Sequence, residues 1–155
     1  LREEEIFLAI SMFHPYALTH PSGTPITAEE VKANFAGDSL LLSKKGASLR
    51  MIGDQFFDSC GFEPVAVCET NNISATRSMV AQNAGVAFIS ESCSINRNHI
   101  AYYPLSPAMK RLNLVVHQKD WVLNEPEQAF MDHILNYFKQ NTEHPYLAEK
   151  YSISF

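Results

Sequence analysis

Apolar residues along this chain fall into short runs separated by polar turns, and the runs alternate between strand-like and helix-like periods. Residues 5–11 (Glu-Ile-Phe-Leu-Ala-Ile-Ser) form a continuous apolar stretch of strand length, ended by Pro15. Pro21 to Pro25 has the composition of a loop. Thr27-Ala-Glu-Glu30 predicts a capping box opening a short helix, because the Thr27 hydroxyl can accept the Glu30 N–H while Glu30 reaches back; Val31 and Phe35 form its apolar side. A strand is expected over residues 39–42, then a polar turn through Ser48. A helix follows over 48–60, with Leu49, Ile52, Phe56 and Cys60 on one face and Gly61 as its stop.

The pattern then repeats. Residues 64–68 read as a strand, and Asn72 can cap a helix over 73–82. Asn83 stands where a left-handed closing residue is needed. Further strands are expected over 86–89, 100–103 and 112–117, and Asn124 to Glu127 caps a last helix bearing Phe130, Ile134 and Phe138. Residues 142–155 show no strong period and read as a tail. Strand, helix, strand, helix, strand with short turns predicts a parallel sheet built by right-handed crossovers. Residues 12–110 read as a self-contained α/β unit, whereas 5–11 and 112–140 would need another partner. That suits a two-lobed protein with two crossing segments as its hinge.

Composition narrows the function. With 12 basic and 17 acidic residues the formal net charge is −5, and the basic residues are scattered rather than gathered in a stripe. Phosphate neutralisation dominates nucleic-acid affinity, so these residues alone are not expected to bind DNA. No apolar run is long enough for a bilayer. The charged opening is no signal peptide, and a first residue other than Met is read as a sign of a trimmed chain. The three cysteines, Cys60, Cys68 and Cys93, lack metal-ligand spacing and suit structural thiols in a reducing compartment.

Six histidines show no HxH, HxxxH or HExxH spacing, and His133 beside Ile134 is expected to be a partly buried packing residue. There is no nucleophile elbow, P-loop or dinucleotide glycine pattern, so no residue set argues for an enzyme. Two turns remain of interest: Ser43 to Ser48, including Gly46, and Thr70-Asn71-Asn72. Both follow strands expected to be parallel, so both should lie on one rim, where helix N-termini offer free N–H groups to an anionic or polar ligand. The same residues are also ordinary helix caps.

The order of motifs resembles the effector-binding domain of LysR-type transcriptional regulators. The likeness rests on Leu8 to Ser11 followed by His14-Pro15-Tyr16-Ala17, on Ile26 to Phe35, and on Arg50 to Pro64 with Phe57 and Gly61. It continues through Ser78 to Ile89, Pro104-Leu105, Arg111 to Leu114 and the Pro126/Phe130 helix, covering roughly residues 4–140. Asn83 stands in place of a usual glycine, and Ser90 in place of a usual proline.

The resemblance implies an α/β, periplasmic-binding-protein-like (type II) two-lobed fold, with lobe II complete over 12–110 and lobe I partial: residues 1–11 as its end and the first hinge strand, 111–141 as the second hinge strand and C-terminal helix. It implies a small, anionic effector, carboxylate- or amino-acid-like, held by Ser11, His14, Ser43, Gly46, Ser48, Thr70, Asn71, Asn72, Ile89 and Ser90. For His14, packing of the hinge is the alternative. It further implies homo-oligomers, with Met51, Gln55 and Asp58 at a dimer contact or simply facing solvent. DNA would be bound only through an N-terminal winged helix-turn-helix outside these residues, in the cytoplasm, with no metal, cofactor or membrane partner. A solute-binding protein of a transport system and an enzyme on a similar fold are the rival readings.

Overall fold

The apolar stretch near the N-terminus becomes β1 (Arg2–Ser11) of a computed structural model that describes residues 2–95 and 97–140. The expected tail at 142–155 lies outside the described residues. After β1 come α1 (Pro15–Thr19), β2 (Ile26–Thr27), α2 (Ala28–Phe35), β3 (Leu40–Leu42), α3 (Ser48–Cys60) and β4 (Ala66–Glu69). The chain continues through α4 (Ile73–Ala81), β5 (Val86–Ser90), β6 (Ile100–Ser106), β7 (Lys110–Asn113) and α5 (Glu125–Gln140).

The sheet runs β2-β6-β1-β5-β3-β4, with β7 pairing β1. β3 pairs parallel with both β4 and β5, as the alternation of strands and helices predicts. β1 is antiparallel to β5 and to β6, facing β5 from Ile6 (opposite Ser90) to Ala9 (opposite Ala87), and β6 from Phe7 to Ser11. The sheet is therefore mixed, because β1 is inserted between β5 and β6 rather than joined to β3 by a crossover.

The described residues divide into two units, one of residues 5–110 and one comprising 2–4 with 111–140. The sequence places 5–11 outside the larger unit. They are instead the central strand of its sheet, and this explains their unbroken apolar character. Ile6, Leu8 and Ile10 point to one core with Val31, Phe35, Phe56, Phe57 and Phe88 from the α2 and α3 side. Ala9 joins Leu41, Ala87, Ile89, Ile100 and Tyr102 on the other face, where Val80 of α4 packs. A strand covered on both faces has no polar alternation to keep. Tyr102 and Tyr103 are fully buried core residues whose hydroxyls donate to the Ile95 and His20 carbonyls.

Local signals hold closely. Thr27 and Glu30 form the reciprocal capping box (Thr27 N to Glu30 Oε2, 2.8 Å; Glu30 N to Thr27 Oγ1, 3.2 Å). Gly61 ends α3 at φ 69°, and Asn83 closes α4 at φ 57°.

In the smaller unit, the Glu4 carboxylate is buried and accepts from Arg111 Nε at 2.6 Å and Asn113 Nδ2 at 2.9 Å, with Arg2 Nη2 at 3.6 Å. A buried charge persists only with such partners. β7 ends at Asn113, short of the expected 117. α5 fully buries none of its residues; Met131, Ile134, Leu135 and Phe138 are half-buried, while His133 is exposed rather than packed.

Candidate functional site

Because β3, β4 and β5 run parallel, their carboxyl ends share one rim of the larger unit. There β3 delivers Ser43 to Ser48, β4 delivers Thr70 to Asn72, and β5 ends at Ser90. The Thr70 N–H donates to the Leu42 carbonyl at 2.9 Å, and Lys44 N–H donates to Asn71 Oδ1 at 3.0 Å, tying the first two turns together. Gly46 takes φ +88°, a left-handed value that favours glycine, and turns the chain into α3.

The two helices that start at this rim begin differently. Asn72 Oδ1 accepts the N–H groups of Ser74 and Ala75, both at 3.1 Å, so α4 is capped. α3 has Ala47 at its N-cap and no side-chain cap, leaving its first-turn N–H groups facing outward with the positive end of the helix dipole. The hydroxyls of Ser43 and Ser48 make no hydrogen bond within the described residues, and Lys44 and Lys45 are exposed beside them. Such a cluster of donors suits an oxyanion.

Arg50 holds the rim in shape. Its Nη1 donates to Glu69 Oε1 at 2.7 Å and to the Ser43 carbonyl at 3.1 Å, and its Nε donates to Asp54 Oδ1 at 2.8 Å. The bonds to Glu69 and then to Asp54 raise the guanidinium pKa further, and the same arginine draws the Glu69 carboxyl below its ordinary value. Sequence reading names Arg50 only as part of a motif. The signal for its role is an arginine in the first turn of a helix, four residues ahead of an aspartate.

The structure gathers Ser43, Gly46, Ser48, Thr70, Asn71, Asn72 and Ser90 at this one rim, but gives them unequal freedom. Asn72 is spent on its cap, and Thr70 Oγ1 accepts the Asn72 N–H at 3.1 Å. Ser90 is buried, and Ile89 lies wholly inside the core, so Ile89 offers no side chain here. Ser11 and His14 are not brought to the rim. β1 runs antiparallel to β5, so from Ile6, opposite Ser90, to Ser11 it travels about 16 Å toward the other edge. There Ser11 Oγ accepts the Phe13 N–H at 3.2 Å, and His14 caps α1 by accepting the Tyr16 N–H at 3.1 Å. Met51, Gln55 and Asp58 stand on the solvent side of α3. Beside α3, β4 forms the sheet edge, with Val65 and Val67 exposed.

Among the described residues no group of three His, Cys, Asp or Glu is placed to hold a metal ion, and no helix is long and apolar enough to cross a membrane. A mixed α/β sheet with a polar, donor-rich rim at parallel strand ends defines a ligand-binding class of protein. The family model described as the LysR substrate binding domain matches residues 1–139, and the chain belongs to that family.

A curated relative is the uncharacterized HTH-type transcriptional regulator YybE of Bacillus subtilis (strain 168), 25% identical over 141 residues. The match covers 90% of this chain and 46% of the relative, so the chain spans about half of that protein. Similar folds include the effector binding domain of QuiR in complex with shikimate, with TM-score 0.63, 17% identity, and coverage of 91% of this chain and 64% of that one. The regulatory domain of CcmR from Synechocystis PCC6803, in complex with 2-PG, has TM-score 0.64, 18% identity, and coverage of 90% and 65%.

Proposed function

We propose that this chain is the sensing part of a cytoplasmic transcriptional regulator and takes a small anionic effector at the rim formed by Ser43 to Ser48 and Thr70 to Asn71. The uncapped N-terminus of α3 carries the reading: a thirteen-residue helix presents unused N–H groups beside two unbonded hydroxyls and two lysines. The relative's description as an HTH-type regulator supports a winged helix-turn-helix elsewhere in the full protein as the DNA-binding partner. The neighbours recorded with shikimate and 2-PG support a ligand of that size. The rim performs binding rather than catalysis. An effector shifts a regulator only by its differential affinity for two states, typically about 1–3 kcal/mol. The exposed α3 face at Met51, Gln55 and Asp58, beside the β4 edge, is the proposed contact with a second copy.

A panel of small carboxylates, shikimate and 2-phosphoglycolate included, tests the reading by amide chemical shifts and calorimetry. The expected result is saturable shifts at residues 43–50 and 70–72. A Ser43→Ala/Ser48→Ala variant should weaken binding roughly tenfold while melting at the wild-type temperature. Carboxylate binding that leaves those amides unmoved would overturn the assignment.

A further inference from the structure

At the opposite rim of the larger unit lies an open cavity of about 440 Å³, walled by His14 to Tyr16, by the end of α2 running into β3, and by the α4–β5 turn. Its volume falls within the range of about 300–1,000 Å³ usual for small-molecule sites. Close backbone packing builds the wall. Val86 N–H donates to the Ser39 carbonyl at 2.9 Å, and a Cβ on Gly85 would stand 2.5 Å from that oxygen. Gly37 is open by contrast, with nothing within 4 Å of where its Cβ would be.

The electrostatics of this cavity oppose those of the α3 rim. His14 Nδ1 accepts the Tyr16 N–H at 3.1 Å, so the ring is the neutral tautomer and its Nε2–H donates to Asp38 Oδ2 at 3.1 Å. The His14 ring stacks on Phe35 with centroids 5.1 Å apart, which holds the pair in place. Asp38 Oδ1 has no partner within the described residues, and Asn34 engages only its Nδ2 (to the Glu30 carbonyl, 2.8 Å), leaving its oxygen available. Both α2 and α4 end at the wall, and helix C-termini carry partial negative charge. None of the described residues lining the cavity is a lysine or arginine.

We propose that this cavity is a second ligand site, separate from the α3 rim, for a small organic cation bearing a guanidinium or primary ammonium group. Asp38 is its charge partner and the Asn34 oxygen a neutral acceptor. A carboxylate that already holds one N–H through Oδ2 still offers Oδ1 to a charged donor, the stronger kind of hydrogen bond. His14 positions that carboxylate rather than contacting an effector at the other edge.

Titrating the 155-residue chain with methylguanidinium and putrescine, while following the amides of His14, Asn34, Gly37 and Gly85, tests the proposal; N-methylurea serves as the neutral isostere and acetate as the anion. The cations should give saturable shifts at those positions, and the isostere and acetate none. Asp38→Asn keeps an acceptor for His14 Nε2–H but removes the charge, and should weaken cation binding roughly tenfold or more. Gly37→Leu should fill the open side and abolish binding, with an unchanged melt showing that the fold survives. Equal binding of N-methylurea, undiminished cation affinity in Asp38→Asn, or the absence of saturable shifts in the wild-type chain would each overturn it.

Discussion

Thr27 and Glu30 show how much two side chains can disclose through their spacing. Their separation alone predicts the reciprocal cap, and both bonds are present. The bonds from the Thr27 backbone and hydroxyl hold the Glu30 carboxyl below its ordinary value of 4.5. Folding thus favours the ionised form. The stabilisation is complete above the unfolded value and is lost as pH falls through the lower folded one. Acid titration of stability should therefore show wild-type protein losing more than Glu30→Gln below about pH 4.5, with the two curves converging at the acid end. Parallel curves would remove the cap's charge from the account. His14 is the opposite case. Its identity suggests a ligand contact or hinge packing, yet its role depends on Asp38, twenty-four positions away, and no local pattern announces that partner.

At the level of elements, α3 and α4 are equally legible as helices and differ in what their first turns can do. Asn72 closes one N-terminus, and Ala47 leaves the other open. Placing an acid at the open cap should separate stability from binding. Ala47→Asp is expected to stabilise the ligand-free protein by about 1 kcal/mol, read from denaturant midpoints, since aspartate is among the best N-caps. Its carboxylate would also occupy the position offered to an oxyanion, so carboxylate-induced shifts at residues 43–50 should disappear. A variant that gained stability and still bound carboxylates would detach the α3 terminus from effector binding. The two turns predicted to share a rim do share it, because parallel pairing of β3 with β4 follows from short right-handed crossovers. Ser11 failed to join them because strand direction in β1 is set by its neighbours, not by its own residues.

For the molecule as a whole, the two units differ in how much of themselves they bury. The larger has a core on each face of its sheet, whereas α5 fully buries no residue, and Phe130 and Tyr137 are 67% and 57% exposed. Local stability follows burial. Amide exchange should therefore be fast throughout α5 and slow in β1, β3 and β5, and a chain ending after Asn113 should keep the thermal transition of the larger unit. Loss of that transition on truncation would mean that α5 contributes to the core after all. Periodicity, caps and turn residues by themselves determined α2 to α5, most strand positions and the left-handed closures at Gly61 and Asn83, because each depends on interactions within a few residues. The alternation of strands and helices gave the common rim of the β3 and β4 turns. α1 over Pro15–Thr19 was not foreseen, since Pro15 reads only as the end of a strand. Only the tertiary structure decided that β1 runs antiparallel through the centre of the sheet, that His14 pairs with Asp38 away from that rim, and that Glu4 is buried against Arg111. Those outcomes depend on which distant segments meet, and the energy of burying them together is not carried by any one stretch of chain.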